Sequence, residues 1–293
     1  MITLPPLVTA LVKRFGLCRL HLTLQLHQGG ELPAFKGSMW HGWLGHMLHR
    51  HDMPFYQVLY HEHDSQQPKP YLIRPGENPQ QHWQAGELIS VEIVLLGDVA
   101  WQAERLAGVF CQPRPLGLGK AQLPVSVQSL ATVTPFGLSP ALTPGYLADW
   151  LTPFPVHVQT EAALLLDTPL RLKHQGRIVQ RGTPSLSLLL EQAARRLALL
   201  AECWVDASTN WREHLKALLP VPGAHHHQGS LSRFEDWQRF SARQQELLPF
   251  GGLRGQLCYQ GEITTALPWL QLGQYLHLGG KTTFGLGQYR LIG

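Results

Sequence analysis

Charge is scarce in this 293-residue chain: Asp, Glu, Lys and Arg make up 15% of it, against about 25% in an average soluble domain. That composition excludes a disordered tail, a coiled coil and a collagen-like chain. Cysteine is scarce too. Cys18, Cys111, Cys203 and Cys258 lie far apart with no C-x-x-C, so reduced thiols in a cytoplasmic protein are expected. No apolar run reaches ~18 residues without a charge or a breaker, which excludes a membrane helix. The N-terminal stretch has no basic n-region and no small-residue cleavage site, so no secretory signal is expected. What is present is 44% hydrophobic residues, enough for a core, and a net charge of +4 made with 17 Arg against 7 Lys. There are also 16 His. The length is that of about two domains.

Residues 17–26 alternate Leu20, Leu22, Leu24 and Leu26 with Arg19, His21, Thr23 and Gln25, the period of a half-buried strand. Residues 36–50 change period: Trp40, Trp43, Leu44, Met47 and Leu48 share one helical face, and Gly42, His46 and His49 the other. An extended piece at 70–74, a strand at 88–96, a helix at 101–110 and a strand at 123–130 follow. The order β-α-β-β-α-β is that of a ferredoxin-like domain. Five prolines and two glycines in 134–155 read as a linker. Beyond it come apolar stretches within 163–174, a helix with Thr183 as cap and Pro184 at its first position, a helix at 233–248, a strand at 253–263, a helix at 266–278 and a last strand at 283–292. The expected fold is α+β, two tandem ferredoxin-like domains: residues 1–135, a linker 136–155 and residues 156–293.

The densest motif is Gly279–Gly280–Lys281–Thr282–Thr283–Phe284–Gly285–Leu286–Gly287. Glycines let successive N–H groups point into one concavity that suits phosphate, or they simply close a sheet. A nucleotide P-loop is excluded: Tyr275 stands where its first glycine belongs, and strand rather than helix follows. Positive charge gathers upstream. Residues 168–200 carry Arg171, Lys173, Arg177, Arg181, Arg195 and Arg196 against Glu191, a net +5. A second glycine loop, around Arg114 and Lys120, reads equally as a rigid turn or as a grip on RNA.

The run from Gly279 to Tyr289 resembles the C-terminal glycine-rich loop of the CRISPR-associated RAMP superfamily, in its repeat-cleaving branch. Three further blocks resemble it in order: Leu32–Ser38 with the helix after it, Thr168–Lys173, and Arg239–Gln244 with Gly251–Gly255. The resemblance implies two tandem ferredoxin-like domains and an endoribonuclease of crRNA maturation in antiviral defence. It implies metal-independent cutting of precursor CRISPR RNA by 2′-hydroxyl attack, leaving 2′,3′-cyclic phosphate and 5′-hydroxyl ends. No cofactor is expected. The expected partners are CRISPR repeat RNA and other subunits of a CRISPR effector complex. The alternative within the same superfamily is a non-catalytic subunit that holds guide RNA.

Such chemistry needs a proton acceptor and donor, for which histidine is suited, and cations at the phosphate. The family's histidine lies in or just after the first helix, which makes His46, His61, His49 and His41 the catalytic candidates, with His46 and His61 first. The RNA-binding candidates are Lys281, Thr282, Thr283, Arg254, Arg171, Lys173, Arg177, Arg239, Arg243 and Lys36, with Gly279, Gly280, Gly285 and Gly287 shaping the loop. His49-x-His51 and His61-x-His63 lack H-E-x-x-H spacing and a nearby cysteine, so no metal site is expected. His225–His227 read as a solvated loop.

Overall fold

Leu20, Leu22, Leu24 and Leu26 are fully buried along one face of strand β1 (Gly16–Leu26), as their alternation requires. In this computed structural model the residues described are 3–60, 67–113, 115–154, 160–223, 225–226, 229–236, 238–241 and 246–292. They form two compact units. One comprises residues 13–149 and 203–206, the other residues 1–12, 150–202 and 207–293.

In the first unit β1 leads to helix α1 (Gly37–His51) and helix α2 (Met53–Tyr60). Strands β2 (Tyr71–Arg74) and β3 (Leu88–Leu96), helix α3 (Ala103–Phe110), strand β4 (Val125–Thr134) and a short strand β5 (Gly137–Ser139) follow. The sheet runs β2-β3-β1-β4-β5, every neighbour antiparallel. α1 presses Trp40, Trp43, Leu44, Met47 and Leu48 into the core and leaves His46 and His49 exposed. Its C-terminus is tied down by Asp52. That carboxylate accepts the Phe55 N–H at the start of α2 (3.0 Å) and a fork of two bonds from Arg105 of α3 (2.6 and 2.7 Å). The Arg105 pair holds the Asp52 carboxyl below the usual carboxylate range. The Trp43 indole donates to the Leu116 carbonyl (2.8 Å), and Leu118 and Leu123 bridge beneath it. The backbone of this second glycine loop is therefore a packed turn. Arg114 lies outside the described residues.

The second unit repeats the plan: β6 (Glu161–Leu170), a two-residue hairpin of β7 (Lys173–His174) and β8 (Arg177–Ile178), helix α4 (Leu186–Trp204), β9 (Leu231–Glu235), β10 (Gly252–Gln260), helix α5 (Leu267–Leu276) and β11 (Tyr289–Ile292). β9 pairs with β10, β10 with β6, and β6 with β11, all antiparallel. Both sheets thus place the fourth strand beside the first, and the first beside the third. That is the ferredoxin-like arrangement, twice.

Four details depart from the sequence reading. The helix expected at 233–248 is absent. Its described residues form β9 and a hairpin pairing Gln238–Ser241 with Glu246–Pro249, because Leu231–Glu235 finds an open edge on β10. The cap of α4 is Ser185, not Thr183: its hydroxyl accepts the Leu188 N–H (3.2 Å). Part of the expected linker is built into the first sheet, since Gly137–Ser139 extends β4 and Gly145–Tyr146 pairs with β1. Residues 1–12, with the short helix Pro6–Val12, cluster with the second unit.

Candidate active site

The first unit fixes one histidine ring by hydrogen bonding. His41 sits half-buried on the second turn of α1. Its Nδ1 lies 3.0 Å from the Tyr71 hydroxyl at the start of β2. Its backbone carbonyl accepts the Tyr60 O–H from the end of α2 at 2.6 Å. The three rings pack together, His41 on Tyr60 (5.0 Å between centroids) and near-parallel to Tyr71 (6.3 Å), with Tyr60 against Tyr71 (5.5 Å). Tyr56 stacks on Tyr60 from one helical turn earlier (5.1 Å). Lys69 donates to the Tyr60 carbonyl (2.7 Å). Burial pushes the Tyr60 and Tyr71 phenols well above their ordinary pKa, so both stay protonated.

Of the other candidates, His46 is exposed and His49 is exposed with its edge on the Tyr56 ring (5.2 Å). His61 and His63 lie outside the described residues. Among the described candidates, His41 is the one whose ring nitrogen meets a side chain by hydrogen bond. The tyrosines carried no sequence signal of their own. Gly45 did: a Cβ there would stand 2.9 Å from the Tyr60 ring, so α1 carries a buried glycine where that ring must approach.

The second unit holds all the basic RNA-binding candidates except Lys36. Five N–H groups of the glycine loop are bonded within the protein. Gly280 N–H bonds to the Arg171 carbonyl (2.9 Å), Gly287 N–H to Pro169 (3.0 Å), Leu286 and Phe284 N–H to Lys281 and Gly285 N–H to Thr282. Those donors close the loop on itself and on β6 instead of facing a ligand. Positive φ at Gly279, Gly285 and Gly287 makes this path possible, and a side chain at Gly287 would collide with the Leu278 carbonyl. Thr282 is buried and its hydroxyl accepts Arg196 Nη2–H from α4 (3.0 Å). Arg196 also reaches the Leu276 carbonyl at the end of α5 (3.4 Å), and desolvation lowers its pKa to about 10. Thr282 and Arg196 brace the loop from within. Thr283 is half-buried beside them.

What the loop presents outward is Lys281, exposed in a left-handed backbone conformation, its ammonium 5.5 Å from the Phe250 ring and 5.9 Å from Phe284. The hairpin β7–β8 turns at Gln175 and Gly176, both with positive φ, and exposes Lys173, His174 and Arg177. Arg171 is half-buried and donates to the Gly251 carbonyl (2.8 Å). Arg254 is half-exposed, 3.9 Å from Glu235. Arg239 lies on a strand, and Arg243 is outside the described residues. One expected RNA contact is removed. Lys36 is buried, with its ammonium donating to the carbonyls of Asn78 and Gln80 (2.8 Å each) and Ala34 (3.4 Å). It clamps a loop and has no donor left for phosphate.

Residues 164–289 match the family model described as CRISPR-associated endoribonuclease Cas6, and residues 14–145 match a model described as an N-terminal domain. No curated protein matches. Among solved structures, a chain of a partial Cas6-RT-Cas1–Cas2 complex aligns over 95% of this chain and 46% of its own length, at 15% identity and a TM-score of 0.65. A Cas6 product complex aligns over 94% of this chain and all of its own (16% identity, TM-score 0.58). Thermus thermophilus Cas6 aligns over 95% and 99% (14%, 0.57). This chain spans less than half of the matched chains in the two Cas6-RT-Cas1–Cas2 complexes, 46% and 29%. At these identities the likeness establishes the fold.

Proposed function

We propose, from the match of residues 164–289 to the model described as CRISPR-associated endoribonuclease Cas6, that this chain binds the repeat of a precursor CRISPR RNA and cuts it by metal-independent transesterification. The observation that carries the reading is His41 on the first helix after β1, its ring nitrogen against the buried Tyr71 hydroxyl and its carbonyl accepting the half-buried Tyr60 O–H. The 2′-hydroxyl beside the scissile phosphate attacks phosphorus, and the bond to the 5′-oxygen breaks. His41 takes the 2′ proton, and the departing 5′-oxygen takes one from the imidazolium so formed or from water. The products are a 2′,3′-cyclic phosphate and a 5′-hydroxyl.

Lys281, Lys173, Arg177 and Arg171 supply positive charge for the RNA backbone, with the glycine loop holding Lys281 in place. A structured loop with an exposed lysine and a rigid basic hairpin suit phosphate contact more than a flexible tail would. Assembly with further CRISPR subunits belongs to the same proposal, since one structural match is a chain of such a complex. The test is incubation of wild type and His41→Ala with repeat RNA of the protein's own locus in EDTA, followed by end-group analysis. Wild type is expected to give cyclic-phosphate ends and the variant uncut RNA. Tight binding without any cutting by wild type would replace this reading with the guide-holding subunit.

A further inference from the structure

Each sheet carries two arginines around one glutamate, and the two groups differ. In the first unit Arg19 of β1 donates twice to Glu92 of β3 (3.0 and 2.6 Å), and Arg74 of β2 stands 3.7 Å from the same oxygen. These arginine side chains are only 11% and 18% exposed. That group is a closed ion cluster. In the second unit Arg233 of β9 and Arg254 of β10 share Glu235, but at 3.4 and 3.9 Å, and they are 82% and 41% exposed. Among the described residues, the Arg233 guanidinium makes that one long hydrogen bond and the Arg254 guanidinium makes none.

The register sets the two arginines against each other. Arg233 stands directly opposite Arg254 on the antiparallel neighbour, so both side chains leave one face of the sheet with their Cβ atoms about 5 Å apart. Like charges in that position repel. The pairing is fixed beside them. Gly255 has a φ of 117°, and a Cβ there would meet the Leu231 carbonyl, so only glycine fits against β9 at that point. On the other side of Arg254 the pairing of β10 with β6 breaks register between Leu253 and Gly255, which leaves no residue of β6 directly opposite it.

We infer that Arg233 and Arg254 form a fork for one backbone phosphate of a single-stranded RNA segment, with Glu235 holding the empty fork together. Two guanidiniums offer many N–H donors, and a phosphate accepts from both at once. A phosphodiester between them replaces one repulsion by two attractions, and Glu235 leaves one of the two positive charges uncancelled. One step along the same face stand Gln256 and the exposed Leu231, directly opposite each other. An amide for a base edge and an aliphatic surface for a sugar thus adjoin the fork.

The inference rests on the reading of this chain as an RNA binder and does not depend on cutting. Nitrogen-15 spectra of arginine-labelled protein, titrated with single-stranded decauridylate, are expected to shift the Arg233 and Arg254 Nε–H signals together. Arg233→Ala and Arg254→Ala should each take most of the affinity lost in the double variant, because a phosphate held from two sides is released when either side goes. The double variant should lower the slope of log affinity against log salt by about 0.7, one single-strand phosphate, with an unchanged melting temperature. Glu235→Gln should act in the opposite sense and tighten binding about 3-fold, since it removes an exposed competitor. Unshifted arginine signals at saturating RNA, or additive losses with the wild-type slope, would overturn the inference. So would inorganic phosphate saturating both signals at concentrations where the oligonucleotide has no effect, which would assign a small-anion site. RNA held at the fork by a wild type that does not cut would instead strike the proposed function and leave this site standing.

Discussion

A histidine acts as a base only when the reacting nitrogen keeps its lone pair and the ring is held toward its task. His41 is held by Tyr71 at Nδ1, whereas His46 and His49 extend from the exposed face of α1. His41→Ala is therefore expected to slow cleavage by about 10²–10⁴-fold with repeat binding changed less than about 3-fold, while His46→Ala and His49→Ala stay within about 10-fold of wild type. Single-turnover kinetics and filter binding separate the two effects. Equal rates for all three variants would exclude His41. Lys36 makes the opposite case. Its ammonium joins three carbonyls, so Lys36→Met should cost about 1–3 kcal/mol of stability in urea titration and leave RNA affinity unchanged. Neither role was legible in the chain itself. The partner of His41 lies 30 residues away on a strand of the sheet, and Lys36 is told from a surface lysine only by the carbonyls of Asn78 and Gln80.

Elements with a strong period were legible. The face of α1 that carries Trp40, Trp43, Leu44, Met47 and Leu48 is read from spacing alone, as is the leucine face of β1, because one side of each is packed. The helix expected over 233–248 fails from its start, since a stretch as short as Arg233–Glu235 fits either period and the edge of β10 decides the matter. The glycine loop shows a different limit. Composition announces unusual backbone angles, but not which groups take the N–H donors. Gly287→Ala is expected to destabilise the second unit and weaken RNA binding together, because the added methyl meets the Leu278 carbonyl. The hairpin should behave otherwise. Lys173→Ala with Arg177→Ala should leave the melting temperature within a degree or two and reduce the slope of log affinity against log salt by about 1.5. A slope equal to wild type would remove the hairpin from the RNA surface.

At the scale of the whole molecule, two units with the same strand order were readable from element order, with no close sequence repeat between them. The membership of residues 1–12 and 203–206 was not, since it depends on contacts distant in sequence. The diffuse net charge of +4 resolves into an oriented histidine in one unit and a braced basic surface in the other. The account stands or falls on the nucleophile. The direct measurement is cleavage, in EDTA, of repeat RNA carrying a single 2′-deoxy substitution at the nucleotide 5′ of the scissile phosphate. The account predicts that the unmodified repeat is cut and that the deoxy repeat binds with similar affinity but stays whole. Cutting of the deoxy repeat at the same bond would contradict it.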